Sequence, residues 1–121
     1  MERIETFTRN GKSFIYIDFS NMTTDNEIKQ LADEAGAFIR KQPLQSVYTI
    51  TNVENLRFNP QTKDILTPYT EANKPHVIAG ALIGIDGLKG IMAKGIFALS
   101  GRKDVKIVST KEEAIKLLLE K

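Results

Sequence analysis

The sequence predicts an α/β fold: a mixed, mostly parallel five-stranded sheet with an N-terminal antiparallel hairpin and four helices. Strand-like segments alternate with amphipathic helical segments along the chain, which is typical of parallel strands joined by right-handed crossovers. Residues 76–85 form an almost unbroken apolar run, as expected for a strand covered on both faces. The pair Asn10-Gly11 is a strong signal for a two-residue hairpin turn, because such turns need positive φ angles. With 121 residues and no visible linker or repeat, we expect one domain spanning residues 1–121.

Five strands are expected, of which the first two form the antiparallel hairpin and the later ones pair in parallel. They are residues 2–9, 14–19, 46–53, 76–85 and 105–108. The first strand carries several charged side chains, which discourage edge-to-edge pairing, so it is predicted to lie at the edge of the sheet. The second strand is apolar on both faces and is therefore predicted to be more central.

The four helices are predicted from their caps and their apolar spacing. Capping boxes, in which a hydroxyl residue is followed three positions later by glutamate, occur at Thr24 and at Ser109. Asn59 followed by Pro60 predicts another helix start. The apolar positions of that helix are predicted to be Ile65, Leu66, Tyr69 and Ala72. Apolar residues spaced along one face from Leu88 to Leu99 predict the remaining helix.

Composition argues against several classes of function. A net charge of +2, from 17 basic and 15 acidic residues, is too balanced to indicate a nucleic-acid partner. The absence of cysteine excludes disulfides and thiolate sites, and the single histidine, His76, is interpreted as structural. No carboxylates show the paired spacing of general acid–base catalysis. We therefore predict a protein that is not an enzyme and that holds no metal or cofactor.

The chain also lacks the signals of export and of membrane insertion. The residues after Met1 do not form a signal peptide. The longest apolar run has about ten residues, whereas a bilayer-spanning helix needs ~20. A cytoplasmic location without stable membrane insertion is the prediction.

Basic residues near the glycine-rich turn are candidates for binding anions. Residues 84–90 contain three glycines and Lys89 between a predicted strand and a predicted helix, and free amides at a helix start can hold an anion. The dinucleotide and P-loop patterns are absent, so we interpret these glycines as allowing close packing. Arg102 and Lys103 belong to a basic cluster whose simplest interpretation is a solvated turn. Contact with an acidic partner or a phospholipid headgroup through Lys89, Arg102 and Lys103 is the alternative.

The segment of residues 52–62 is the candidate surface for a protein partner. It joins the carboxyl end of a predicted parallel strand to a helix start, and ligands bind at that end of open α/β sheets. The candidate contact residues are Asn52, Arg57, Phe58, Asn59 and Thr62. The alternative interpretation is structural, with Phe58 as a hydrophobic staple and Asn59 as a helix cap.

Several segments, taken in order, resemble the SpoIIAA-like (STAS-related) family of small bacterial proteins. They are Ile17–Asn21, Val53–Asn59, the run Val77–Lys89, the segment Leu99–Lys103 and the ending Val105–Leu118. The resemblance covers nearly the whole chain. It implies an α/β domain that regulates through contacts with an unidentified protein partner rather than through catalysis.

The same resemblance bears on phosphorylation. Anti-sigma-factor antagonists of this family carry a phosphorylatable serine at a helix start after the third strand. The matching segment here, residues 57–61, has no serine, and Thr62 is the nearest hydroxyl. The resemblance therefore implies an interaction domain without the serine switch.

Two alternatives remain open from the sequence. The helix pattern is also similar to that of CRAL-TRIO lipid-transfer domains, so the chain could carry a small apolar molecule or lipid. Such a cavity would be lined by Ile65, Tyr69, Met92, Ile96 and Leu99. Separately, a narrow helix face cannot bury all of residues 117–119, which are leucines, so a homodimer is possible.

Overall fold

The computed structural model describes residues 3–85 and 105–120. Its strands are β1 (Ile4–Arg9), β2 (Lys12–Asp18), β3 (Val47–Asn52), β4 (Val77–Ile83) and β5 (Val105–Ile107). Its α-helices are α1 (Asp25–Arg40), α2 (Pro60–Asn73) and α3 (Lys111–Leu119), and a short 3-10 helix spans Lys74–His76. The predicted helix from Leu88 to Leu99 lies outside the described residues.

The strands form one mixed sheet in the order β1-β2-β3-β4-β5. The first pair is antiparallel, and the three remaining pairs are parallel. The turn between β1 and β2 places Asn10 at φ 54° and Gly11 at φ 76°, as a two-residue hairpin requires. The predicted α/β class, edge strand and hairpin are confirmed.

Helices α1 and α2 lie together against one face of the sheet. The core on this face includes Ile17, Phe19, Ile28, Ile39 and Leu66. Among the apolar positions predicted for α2, Leu66 is buried, whereas Ala72 is exposed and the neighbouring Asn73 is buried instead. The buried side chain of Asn73 has a polar partner, because its Oδ1 accepts a hydrogen bond of 3.2 Å from Arg40 Nη1. This bond links the end of α2 to the end of α1.

Helix α3 covers the opposite face of the sheet. Its buried residues Ala114, Ile115 and Leu118 pack with strand residues that include Phe14, Tyr48 and Ile50. The helix begins one residue later than predicted, because Thr110 rather than Ser109 is the cap and accepts from the amide of Glu113 at 3.1 Å. Both pairs fit a capping box, and the observed cap is the second of them.

Candidate functional site

The candidate site lies at the carboxyl end of the parallel strands, where two loops meet. The first, loop A, is residues 19–24 between β2 and α1, and the second, loop B, is residues 53–59 between β3 and α2. Parallel strands present their carboxyl ends at the same edge of a sheet, so adjacent strands bring these loops together.

Backbone hydrogen bonds hold loop A against loop B. The amide of Phe19 donates to the carbonyl of Asn52 at 2.8 Å, and the amide of Asn21 donates to the carbonyl of Glu54 at 2.9 Å. In return, the amide of Arg57 donates to the carbonyl of Met22 at 3.0 Å. Because the bonds run in both directions, the two loops form one connected surface.

Two asparagines give this surface its tight bends. Asn21 has φ 62° and Asn55 has φ 57°, the left-handed region that asparagine tolerates better than most residues. The side-chain amide of Asn55 donates to Oδ1 of Asn21 at 3.0 Å. One bend therefore stabilises the other.

Asn52 anchors loop B to the end of the sheet. Its Oδ1 accepts from the amide of Glu54 at 3.0 Å, and its Nδ2 donates to the Tyr16 hydroxyl at 3.1 Å. The amide of Val53 also donates to the carbonyl of Ile83 at 2.9 Å. Asn52 therefore positions the loop, with its polar atoms already engaged inside the protein.

Arg57 connects loop B to the start of α1. Its guanidinium donates to the carboxylate of Asp25 in an ion pair whose two side chains are both partly exposed. In the part of the chain that the structure describes, Arg57 Nε is buried without a hydrogen-bond partner. The side chain of Arg57 is nevertheless 37% exposed, so part of the cation is accessible from outside.

Phe58 and Asn59 complete the loop at the start of α2. Phe58 is partly buried against the α1–α2 core and keeps part of its ring accessible. Asn59 caps α2, as predicted, because its Oδ1 accepts from the amide of Thr62 at 3.0 Å. Phe58 is therefore the aromatic residue of loop B that can both brace the loop and touch a partner.

Thr62 lies beneath this surface and is not on it. Its side chain is 0% exposed, and its hydroxyl donates to the carbonyl of Arg57 at 2.7 Å. A partner cannot reach this residue in the folded chain, so we leave it out of the proposed contact surface. Its role is to hold loop B against the first turn of α2.

The remaining candidate residues are those of the anion contact and of the carrier alternative. Lys89, Arg102 and Lys103, the candidate anion contacts, lie outside the described residues, and so do Met92, Ile96 and Leu99 of the carrier alternative. Near Tyr69, the described residues line an inner cavity of about 70 Å³ and, together with Ile65, an open groove of about 440 Å³ between α1 and α2. The inner cavity is smaller than the about 300–1,000 Å³ that is usual for ligand pockets, and the groove falls within that range.

Residues 3–85 and 105–120 place no cluster of three or more histidine, aspartate or glutamate side chains where a metal ion could bind. His76 Nδ1 lies 2.8 Å from the carbonyl of Gln42, a contact that fits the structural role predicted for it. Within the same residues, each helix is too short or too polar to cross a membrane.

The ionisation of Tyr16, which accepts a hydrogen bond from Asn52, tests the packing at this end of the sheet. Burial raises the pKa of the Tyr16 hydroxyl above its ordinary value, although the hydrogen bond from Asn52 opposes the shift. The folded state therefore favours the neutral hydroxyl. This stabilisation is fully present below pH about 10, the unfolded pKa, and is lost as pH rises through the folded pKa.

We expect the melting temperature of the wild type to fall relative to that of Tyr16→Phe as pH rises from 9 to 11. Calorimetry of both proteins across this range measures the difference, and the variant serves as the control for other groups that titrate there. A difference that stays constant from pH 8 to 11 would contradict the raised pKa.

The comparisons with known proteins bear on the fold. No protein-family model matches the sequence, and no curated protein matches it significantly. Among solved structures, the chain is similar to an anti-sigma-factor antagonist (STAS) domain protein from Planctomyces limnophilus. The two share 16% sequence identity over 96% of this chain and 97% of that chain, with a TM-score of 0.60. At this identity the likeness establishes architecture, and it confirms the fold that the sequence resemblance implied: the chain has a STAS-like fold.

Proposed function

We propose that this protein is a non-enzymatic, STAS-like regulatory domain that binds a protein partner through loops A and B. The observation that supports it most is the fixed geometry of loop B. Backbone bonds to Met22 and Ile83 and the cap at Asn59 hold the loop while Arg57 and Phe58 remain partly exposed. Arginine and aromatic residues on a preorganised surface are typical of binding hot spots. The solved structure with the same architecture is itself named as an anti-sigma-factor antagonist.

Truncating Phe58 tests the proposed surface. We expect Phe58→Ala to reduce recovery of a specific protein from native lysate by about tenfold, because a buried aromatic contact contributes more than about 1.4 kcal/mol at a hot spot. Arg57→Ala should weaken recovery as well. Quantitative mass spectrometry of the captured proteins gives the measurement.

Leu44→Ala is the matched control for this experiment. Leu44 is also an apolar residue, is 68% exposed, and lies just before β3 at the opposite end of the parallel strands. The control should capture the same protein as the wild type. Equal capture by wild type and Phe58→Ala, or equal loss by Phe58→Ala and Leu44→Ala, would contradict the proposed surface.

We also propose that the start of α2 is not a phosphorylation switch. Residues 57–61 contain no serine, and the nearest hydroxyl, that of Thr62, is buried and donates to the carbonyl of Arg57. A kinase would have to unfold the first turn of α2 to reach it. Mass spectrometry of the protein isolated from its native source should find Thr62 unmodified, and a substantial phosphorylated fraction at Thr62 would overturn this proposal.

A further inference from the structure

A groove lies between α1 and the edge strand β1, on the flank of the molecule next to loop A. Its volume is about 530 Å³. Its floor is formed by Ile4, Met22 and Leu31, and its α1 rim by the carboxylates of Glu27 and Glu34. Met22 also belongs to loop A, and its carbonyl accepts the amide of Arg57, so the groove adjoins the surface formed by loops A and B.

The charge of the groove is negative on balance. Arg3 on the β1 side is already engaged, because its Nη1 donates to the carbonyls of Asp18 and Ser20 at 3.1 and 2.8 Å. By contrast, within the described ranges no lysine or arginine nitrogen lies within 4.0 Å of the Glu27 or Glu34 carboxylates. Their described hydrogen bonds come from neutral groups, since Thr24 Oγ1 donates to Glu27 Oε1 at 2.9 Å and Gln30 Nε2 donates to Glu34 Oε1 at 3.5 Å. Both carboxylates therefore keep a negative charge that a cation from outside can meet.

The spacing of these carboxylates matches a helix. Glu27 and Glu34 are seven residues apart on one helix, which separates them by about 10.5 Å along the axis. Basic residues at positions i and i+7 of a second helix, packed alongside, have the same separation. Addition of a strand to β1 fits less well, because that edge carries charged side chains such as Glu5 and Arg9.

We propose that this groove binds a basic amphipathic helix of the partner protein, with an apolar stripe over Ile4 and Leu31 and two cations on Glu27 and Glu34. The proposal rests on the proposed function as a protein-binding domain and adds the chemistry of the partner. It does not depend on contacts made by Phe58.

Binding of a synthetic peptide tests the groove directly. The probe is a helical peptide with leucines on one face and lysines at positions i and i+7, and its control has glutamates in place of the lysines. In ¹H–¹⁵N spectra of the intact protein, we expect the lysine peptide to shift the amides of residues 4, 22, 27, 31 and 34. The glutamate peptide should leave them unchanged.

Charge-neutral variants supply the second readout. The double variant Glu27→Gln with Glu34→Gln should weaken binding of the lysine peptide by about fivefold, since each exposed ion pair contributes only modestly to the binding free energy. Glutamine retains the function of Glu27 in the capping box, so α1 should keep its fold. Asp33→Asn is the matched control, because Asp33 lies on the same helix and lines a different groove, between α1 and α2.

Several results would overturn the proposal. They are equal binding of both peptides, shifts confined to residues 53–59, equal weakening by Asp33→Asn, or self-association of the protein through Glu27 and Glu34 in the absence of peptide. If the lysine peptide fails while Phe58→Ala still loses its captured protein, the groove proposal fails and the proposed function stands.

Discussion

Replacing Gly84 with alanine is expected to lower the free energy of unfolding by about 3 kcal/mol or more. Gly84 follows β4 with φ +86°, a conformation that L-residues rarely adopt. A Cβ atom there would lie 2.5 Å from the amide nitrogen of Glu54 and 2.7 Å from its Cα. Because those atoms belong to the backbone of loop B, relief of the clash must move the loop itself. Chemical denaturation of wild type and variant measures the loss.

Gly11→Ala separates the effect of the backbone angle from that of the clash. Gly11 has φ +76°, and nothing lies within 4 Å of a Cβ built there. We expect this variant to lose only about 1 kcal/mol, the cost of the left-handed conformation. Equal losses for Gly84→Ala and Gly11→Ala would show that the contact between Gly84 and loop B is not tight.

Replacing Phe19 with alanine is expected to lower the free energy of unfolding by about 4 kcal/mol, as for other buried phenylalanines. Phe19 begins loop A, yet its side chain is 0% exposed and packs edge-on to Tyr69 with ring centroids 6.1 Å apart. Its removal would leave a cavity between the sheet and α2. Thermal and chemical unfolding of the variant check the value.

Phe58→Ala is the natural comparison for this experiment. It removes the same atoms from a ring that is only partly buried at the end of loop B. The expected loss is about 1 kcal/mol, in keeping with the smaller apolar area withdrawn from water. If Phe58→Ala were as destabilising as Phe19→Ala, loss of partner capture by Phe58→Ala would reflect misfolding rather than a missing contact.

Local signals predicted much of this fold because they act within a few residues. The Asn10-Gly11 turn needs only the φ angles of its two residues, and the caps at Thr24 and Asn59 need only amides three positions away. The choice between Ser109 and Thr110 could not be made in this way. Both hydroxyls fit the capping pattern, because each is followed three positions later by a glutamate, and the structure shows Thr110 as the cap.

The geometry of the candidate site was less accessible from the sequence, because it depends on contacts between distant residues. Arg57 reaches Asp25, 32 positions earlier, and Gly84 touches Glu54, 30 positions earlier. Thr62 has the polar character of a surface residue, but the carbonyl of Arg57 satisfies its hydroxyl in the interior. The sequence therefore predicted a loop between a strand and a helix cap at this position, while only the fold shows which of its residues face outward.

The order of the sheet has a consequence for how the chain is synthesised. Among the strands that the structure describes, each one from β2 to β5 is hydrogen-bonded to the one before it. A polypeptide leaving the ribosome can therefore extend the sheet one strand at a time, without waiting for a later segment to fill a gap. Loops A and B are completed as soon as β3 and the first turn of α2 have emerged. Gly84, which packs against the backbone of Glu54 in loop B, emerges only after β4.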